Sequence, residues 1–322
     1  MRAVYCDTFD AEAPVSVLRV GERPAPTPPD GWSLVTVRAA ALNGHDLWSL
    51  RGVGLTASDL PRILGSDGAG TDEHGRRVVI YPVVPSVGAD RELAIDAVEE
   101  PLLSERHDGT LAEQVCVPTA SLVPIPDSMT FAEAACLPTA WLTAYRMLFT
   151  STRLRPGDTV LVQGAAGGVS TALVALGSAA GLRMWVTGRT EERRAVATEV
   201  GADAVFETGA RIPERVDAVM ETVGEPTWQH SMLSLRTGGT VVVAGATAGH
   251  LPTLDLRHVF FRQLRVVGAR MGTPAELRRL LAFLDRHGIR PRIGAELPLT
   301  SAAAAFELLE RGDVGGKVVL VP

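Results

Sequence analysis

Apolar and polar residues follow two different rhythms along the chain. In roughly the first 125 of its 322 residues the apolar stretches are short. Val15–Val20, Ser33–Ala40, Val78–Tyr81 and Leu111–Val117 are separated by Pro, Gly and Asp, the pattern of strands joined by turns. Asp72-Glu73-His74-Gly75 reads as one such turn. Residues 83–107 keep no regular period and read as a surface lobe. From about Pro156 the rhythm changes. Thr159–Gln163 is a short apolar strand, Gly164–Gly168 a glycine-rich turn, and Val169 opens a helix with apolar residues at Val169, Ala172, Leu173 and Leu176. Gly181 can end that helix. Met184–Thr187 is a second strand, and Thr190 can cap the helix after it, with Glu191 and Glu192 in the positive first turn. Strand-like runs recur at Ala204–Phe206, Asp217–Met220, Thr240–Ala244 and Leu264–Gly268. An amphipathic helix (Pro274–His287), a second helix (Ser301–Arg311) and a strand (Lys317–Val321) follow.

Alternating strands and helices predict a doubly wound parallel sheet, so the expected fold class is α/β, a Rossmann-type sheet beside a β-rich part. The length exceeds what one core usually serves, so two domains are expected. No internal repeat or low-complexity linker is visible.

Composition narrows the function classes. Hydrophobic residues make up 46% of the chain and charged residues 21%, and the net charge is -6, without the clustered basic residues of a nucleic-acid protein. The sequence MRAVYCDTFD at the N-terminus lacks the apolar run of a signal peptide, and no stretch is apolar enough for a membrane helix. Cys6, Cys116 and Cys136 are far apart and form no CxxC, which argues against a disulfide framework and fits a reducing cytoplasm. Lys317 is the only lysine.

The chemistry-bearing signal is Gly164-Ala165-Ala166-Gly167-Gly168-Val169-Ser170. Glycine lets a phosphate approach the backbone, and the helix start offers N–H donors and partial positive charge. Between a strand and a helix, this turn points to a dinucleotide. Its bland alternative is an ordinary strand–helix turn. The next strand ends Val186-Thr187-Gly188-Arg189-Thr190, without the carboxylate that binds a ribose 2′-hydroxyl. Arg189, helped by Arg193, suits a 2′-phosphate, so NADPH is expected. Glu191 and Glu192 oppose that reading, and a solvated Arg189 is the alternative.

Further segments carry a resemblance: Ala41-Leu42-Asn43-Gly44-His45-Asp46-Leu47, Gly65-Ser66-Asp67-Gly68-Ala69-Gly70, Leu137-Pro138-Thr139-Ala140-Trp141-Leu142-Thr143-Ala144-Tyr145, and Gly315-Gly316-Lys317-Val318-Val319-Leu320. With the glycine turn, the whole chain resembles the medium-chain dehydrogenase/reductase superfamily, and within it the zinc-free quinone oxidoreductase-like members. The resemblance implies a GroES-like catalytic domain from residues 1–125 and 268–322, a Rossmann nucleotide-binding domain from 126–267, and an active site in the cleft. It also implies that Thr143, Gly164, Ala165, Gly167, Gly168, Val169, Gly188, Gly245, Ala246, Thr247 and Met271, within the Gly268–Gly272 stretch, lie near the cofactor, that Lys317 contacts it, and that two copies form a homodimer.

The departures matter as much. Zinc members carry Cys where Asn43 stands, His where Ser66 stands, and Cys, Asp or Glu near Thr139. An amide and two hydroxyls are poor zinc ligands, so no zinc is expected. The lobe that holds structural zinc corresponds to residues 83–107, which contain no cysteine. Cys136 is read as packing. Without a Lewis acid, acceptors that delocalise the developing charge are favoured, so NADPH is expected to reduce a quinone or a conjugated enone or enoyl substrate, a small molecule. Asn43 is the candidate amide donor and His45 the candidate proton donor or relay. Asp46 reads as a buried structural carboxylate, and Trp48 and Trp141 as cleft-lining or core residues. The alternatives are a natural-product enoyl or carbonyl reductase, an NADPH-binding structural or regulatory protein without turnover, and a zinc alcohol dehydrogenase with unusual ligands.

Overall fold

The computed structural model describes residues 1–84, 101–312 and 314–322. The chain divides into two compact units, Met1–Ala140 with Thr273–Pro322, and Trp141–Gly272. The first passage between them falls in a π-helical turn, Leu137–Trp141. Most of the expected lobe, residues 85–100, lies outside the described residues.

The first unit opens with β1 (Arg2–Cys6), β2 (Leu18–Glu22) and β3 (Trp32–Ala41). The expected strand over Val15–Val20 is in part a 3-10 turn, Pro14–Val17, because proline at its head fixes φ and supplies no N–H to a ladder. The short helix α1 (Gly44–Leu50) follows β3 directly. Then come β4 (Arg62–Ile63), β5 (Asp67–Asp72), β6 (Arg77–Ile80), β7 (Gln114–Pro118), β8 (Leu122–Pro124) and α2 (Phe131–Ala135). Thr130 and Glu133 close a capping box at the start of α2, with Thr130 Oγ1 accepting the Glu133 N–H at 3.2 Å and Glu133 Oε2 accepting the Thr130 N–H at 2.7 Å.

The second unit starts with α3 (Leu142–Phe149) and alternates β9 (Thr159–Gln163), α4 (Gly168–Ala179), β10 (Arg183–Gly188), α5 (Glu191–Glu199), β11 (Ala204–Glu207), β12 (Val216–Glu221), α6 (Glu225–Ser234), β13 (Leu235–Val243), α7 (Leu256–Phe261) and β14 (Arg265–Gly268). All six strands run parallel in the order β11-β10-β9-β12-β13-β14. Every residue of β9 is buried, as a strand covered on both faces requires. The chain leaves β9 toward β10 on one side and later returns to β12 on the other. Such a reversal opens a crevice at the carboxyl ends of the strands.

The chain then returns to the first unit as α8 (Pro274–His287), β15 (Ile293–Pro298), α9 (Ala302–Arg311) and β16 (Lys317–Val321). β16 pairs with β15 in parallel and with β3 in antiparallel fashion, within the order β15-β16-β3-β5-β6-β8. The last strand thereby lies beside the segment that leads into α1. Residues from both ends of the chain share one core, in which Val35, Leu50, Ile80 and Leu111 pack with Phe306 of α9. Among the described residues no helix is long and apolar enough to cross a membrane.

Phe306 is fully buried. Phe306→Ala is expected to cost about 3–5 kcal/mol in denaturant unfolding of the first unit. A loss below about 1 kcal/mol would show that α9 contributes little to that core.

Candidate active site

Two groups of expected residues are each brought together, one in each unit. In the second unit, the carboxyl ends of β9, β10, β12 and β13 align, with Thr187 beside Gln163, Met220 beside Val162 and Val243 beside Glu221. The glycine-rich turn leaves β9 at this edge. Gly164 sits at φ 89°, a conformation that disfavours any side chain with a Cβ. Gly167 is the extended N-cap of α4, and no side chain caps the helix. The first helical N–H bond is Thr171 to the Gly167 carbonyl, so the Gly168, Val169 and Ser170 donors have no carbonyl in the preceding turn. Gly188, at the end of β10, packs against the turn so closely that a Cβ there would lie 2.8 Å from Ala165 Cβ.

A buried polar network holds these strand ends. Thr187 Oγ1 donates to Gln163 Oε1 at 2.5 Å, and Gln163 Nε2 donates to Ser231 Oγ at 3.0 Å. Ser231 Oγ in turn donates to Glu221 Oε2 at 2.6 Å, while Glu221 Oε1 accepts the Val223 and Gly224 N–H groups. Thr247 of the segment after β13 folds onto the same place, its N–H and hydroxyl both reaching the Thr222 carbonyl. Gly245 and Ala246 are part of that fold-back. Thr143 on α3 and Met271 beyond β14 are buried.

Arg189 is exposed immediately beyond Gly188. Arg194, which sequence reasoning passed over, turns back and donates to the Gly188 carbonyl at 2.9 Å. The Glu192 carboxyl is held below the usual carboxylate range by its own backbone N–H and by Thr190. It therefore stays negatively charged in the first turn of α5, where the helix N-terminus favours such a charge.

In the first unit the Asn43, Ser66 and Thr139 side chains converge. Lys317 is 4% exposed, and its Nζ donates to the Leu42 carbonyl at 2.7 Å and to Asn43 Oδ1 at 2.5 Å. Asp67 Oδ2 lies 3.6 Å from the ammonium. Asn43 Nδ2 donates to Ser66 Oγ at 3.3 Å, Ser66 Oγ and Thr139 Oγ1 are 3.4 Å apart, and Thr139 Oγ1 donates to Asp67 Oδ1 at 2.6 Å. The π-helical turn carries Thr139, the start of β5 carries Asp67, and β16 carries Lys317.

Zinc is taken by thiolate, imidazole and carboxylate ligands. An amide, two hydroxyls and one carboxylate around an ammonium do not fit it. Among the described residues no group of three His, Cys, Asp or Glu side chains is arranged to hold a metal. Cys136 is buried, its thiol donating to the Ala132 carbonyl, and burial pushes that thiol up to about 12, so it packs and does not ionise.

His45 stands at the start of α1. Its Nε2 is buried without a hydrogen bond and lies 3.6 Å from Glu105 Oε1, near enough for attraction and too far for a hydrogen bond. Glu105 is anchored by the Leu102 N–H, which donates to its Oε2 at 2.8 Å. Asp46 Oδ2 accepts the Asn43 N–H at 2.8 Å and fixes the entry into α1, while its Oδ1 is buried without a partner. Trp48 is exposed and Trp141 is buried. Asp67 and Glu105 are the residues that sequence reasoning missed. Asp67 stood inside a quoted motif, but its partner lies at the far end of the chain. Nothing in the sequence around Glu105 marks it.

Burial pushes the Asp46 carboxyl up to about 6 from an ordinary 3.8. A carboxyl raised in the folded state adds most stability below its unfolded value and loses that contribution as pH climbs through the folded one. Asp46→Asn keeps an acceptor for the Asn43 N–H and removes the charge. The wild type is therefore expected to lose on the order of 3 kcal/mol relative to Asp46→Asn between about pH 4 and pH 7.5, read by urea unfolding at both values. Parallel profiles of the two proteins would show that the Asp46 charge costs nothing where it lies.

Two family models match the chain: the alcohol dehydrogenase GroES-like domain over residues 29–127 and the zinc-binding dehydrogenase over residues 168–286. The quinone oxidoreductase of Mus musculus is 27% identical, covering 100% of this chain and 98% of the relative. The acryloyl-coenzyme A reductase of Sulfurisphaera tokodaii is 27% identical over 94% of this chain and 96% of its own length. A crystal structure described as an NAD-dependent alcohol dehydrogenase superposes with a TM-score of 0.92 at 34% identity, covering 100% of both chains. Matching models in both units, and relatives aligned along nearly the whole length, accompany the β-rich and Rossmann-type units: the chain is an oxidoreductase and belongs to the medium-chain dehydrogenase/reductase superfamily.

Proposed function

We propose that the chain binds NADPH on its second unit and reduces a quinone or a conjugated enone or enoyl substrate without a metal. The observation that carries this reading is the side-chain set at Asn43, Ser66 and Thr139, where hydrogen-bond donors and a buried ammonium stand in place of metal ligands. The quinone oxidoreductase and acryloyl-coenzyme A reductase relatives support the substrate class. Bound NADPH would supply hydride to an electron-poor carbon of the substrate.

The Gly164–Gly168 turn and the start of α4 suit the pyrophosphate, because unhindered backbone and free N–H donors meet there. Arg189, with Arg193 on the first turns of α5, suits a 2′-phosphate. In the first unit Asn43 Nδ2 supplies hydrogen-bond donors for the oxygen on which negative charge develops. Its bonds to Ser66 Oγ and to the Ala41 carbonyl, 3.3 and 3.4 Å long, are weak enough for a substrate oxygen to replace. His45 serves as proton donor to the reduced product, with the Glu105 carboxylate 3.6 Å from its Nε2.

Assembly follows the same reading. β14 ends the sheet of the second unit, and Leu256, Phe260 and Phe261 beside it are exposed, Phe261 to 76%. A second copy meeting this edge would cover both the open backbone groups and the apolar side chains. Light scattering is expected to give twice the 34.1 kDa chain mass, and Phe261→Glu to shift it toward one chain. An unshifted mass would place the contact elsewhere.

The central test is NADPH and NADH oxidation against a panel of quinones, 2-alkenals and enoyl thioesters. Turnover with NADPH is expected on at least one class. NADPH binding with no oxidation across the panel would instead favour a nucleotide-binding protein without turnover. Arg189→Asp is expected to lower kcat/KM for NADPH by about 10–100-fold, the worth of charge-assisted bonds to a phosphate, and to narrow the gap to NADH. An unchanged preference would remove Arg189 from cofactor choice.

A further inference from the structure

The chain holds thirty arginines and a single lysine, and it also holds a single asparagine. Those two solitary residues, Lys317 and Asn43, are 274 positions apart and are joined by a 2.5 Å hydrogen bond in a buried place. A composition that uses arginine at every other basic position keeps the compact ammonium here, where Nζ must fit between the Leu42 carbonyl and Asn43 Oδ1. A planar guanidinium with five donors would not fill the same position.

The protons of the surrounding ring then have one sense. An ammonium only donates and a carboxylate only accepts. Asn43 must therefore turn its oxygen to Lys317, which turns its NH₂ to Ser66. Ser66 accepts from Asn43, and Thr139 gives its proton to Asp67, so the Ser66 proton points to Thr139. Asp67, itself fully buried, closes the ring 3.6 Å from the ammonium, and its Oδ2 has no hydrogen bond of its own. Without the cation, only the long Nδ2 bonds to Ser66 Oγ and the Ala41 carbonyl, 3.3 and 3.4 Å, hold the amide in this orientation.

We infer that Lys317 is a positioning residue: it holds Asn43 with its N–H donors, and not its carbonyl oxygen, available to the reacting oxygen of the substrate. This rests on the reading of Asn43 as that donor. It differs from a direct contact between Lys317 and the cofactor, because the ammonium acts through the amide.

The test uses the full-length protein with Lys317→Met, Asn43→Ala and their combination, and with the Lys317→Met/Asp67→Asn pair, which leaves no uncompensated buried charge if the single variant folds poorly. Asparagine labelled with ¹⁵N at Nδ2 gives one side-chain amide signal, since the chain has one asparagine. Two shifted, separate amide protons are expected in the wild type. In Lys317→Met, or in the pair if needed, they should move toward the positions of a free amide while the NADPH Kd changes by less than about threefold. An unchanged Asn43 signal would overturn the inference, and so would a weakened NADPH Kd with kcat retained, which would make Lys317 a cofactor ligand. In turnover, Lys317→Met should lose about 100-fold in kcat, the cost of one oxyanion donor. It should lose nothing further in the Asn43→Ala background, and additive losses would overturn the coupling. A wild type inactive across the whole substrate panel would remove the proposed reaction, while the amide signal would still decide the role of Lys317.

Discussion

A buried ammonium cannot stand alone, and much of the first unit is arranged around that fact. Removing a charge from water costs far more than one neutral hydrogen bond returns, so the cation needs full-strength acceptors and a nearby countercharge. Lys317 takes the Leu42 carbonyl, Asn43 Oδ1 and the attraction of Asp67. The first two are neighbours at the junction of β3 and α1, and the third opens β5. The pairing of β16 with β3 brings the lysine beside them. Sheet register and site electrostatics are thus one constraint, since a one-residue slip of β16 would turn the ammonium to the opposite face.

The second unit obeys a different constraint. Its central strands β9, β10 and β12 are almost wholly buried, which leaves their carboxyl ends as the open edge of the sheet. There the Gln163, Thr187, Ser231 and Glu221 network satisfies polar groups that would otherwise be costly to bury. The network also fixes the spacing of β9, β10 and β12, which sets the position of the glycine-rich turn. Glu221 spends its carboxylate on backbone N–H groups and hydroxyls at the start of the next crossover, so its charge is solvated by the protein.

The sequence was most legible where one rhythm persists. The amphipathic helix Pro274–His287 and the last strand Lys317–Val321 run between the residues that periodicity indicated. The parallel strands were found to within a few residues, though β13 begins at Leu235, five residues earlier than its apolar run. The strand expected over Val15–Val20 failed at its first half because Pro14 starts a turn there. The candidate site was legible as three positions, Asn43, Ser66 and Thr139, whose side chains lack metal-ligand chemistry. Lys317 was marked only as an expected cofactor contact, and its place beside Asn43 and Asp67 was not legible, because contacts across 250 or more residues leave no spacing to read. Glu105 was invisible for the same reason, since its approach to His45 depends on how the segment after residue 100 returns to α1.

One unit is contiguous and the other is not, which orders events on the ribosome. Trp141–Gly272 emerges whole and can close its sheet while the rest of the polypeptide is still being made. The other unit has Asn43 and Asp67 early and gains the Lys317 ammonium 250 positions after Asp67. Until translation reaches that point, the Asp67 carboxylate has no Lys317 ammonium to approach, so the buried ion pair of the first unit can form only after the whole second unit has been synthesised.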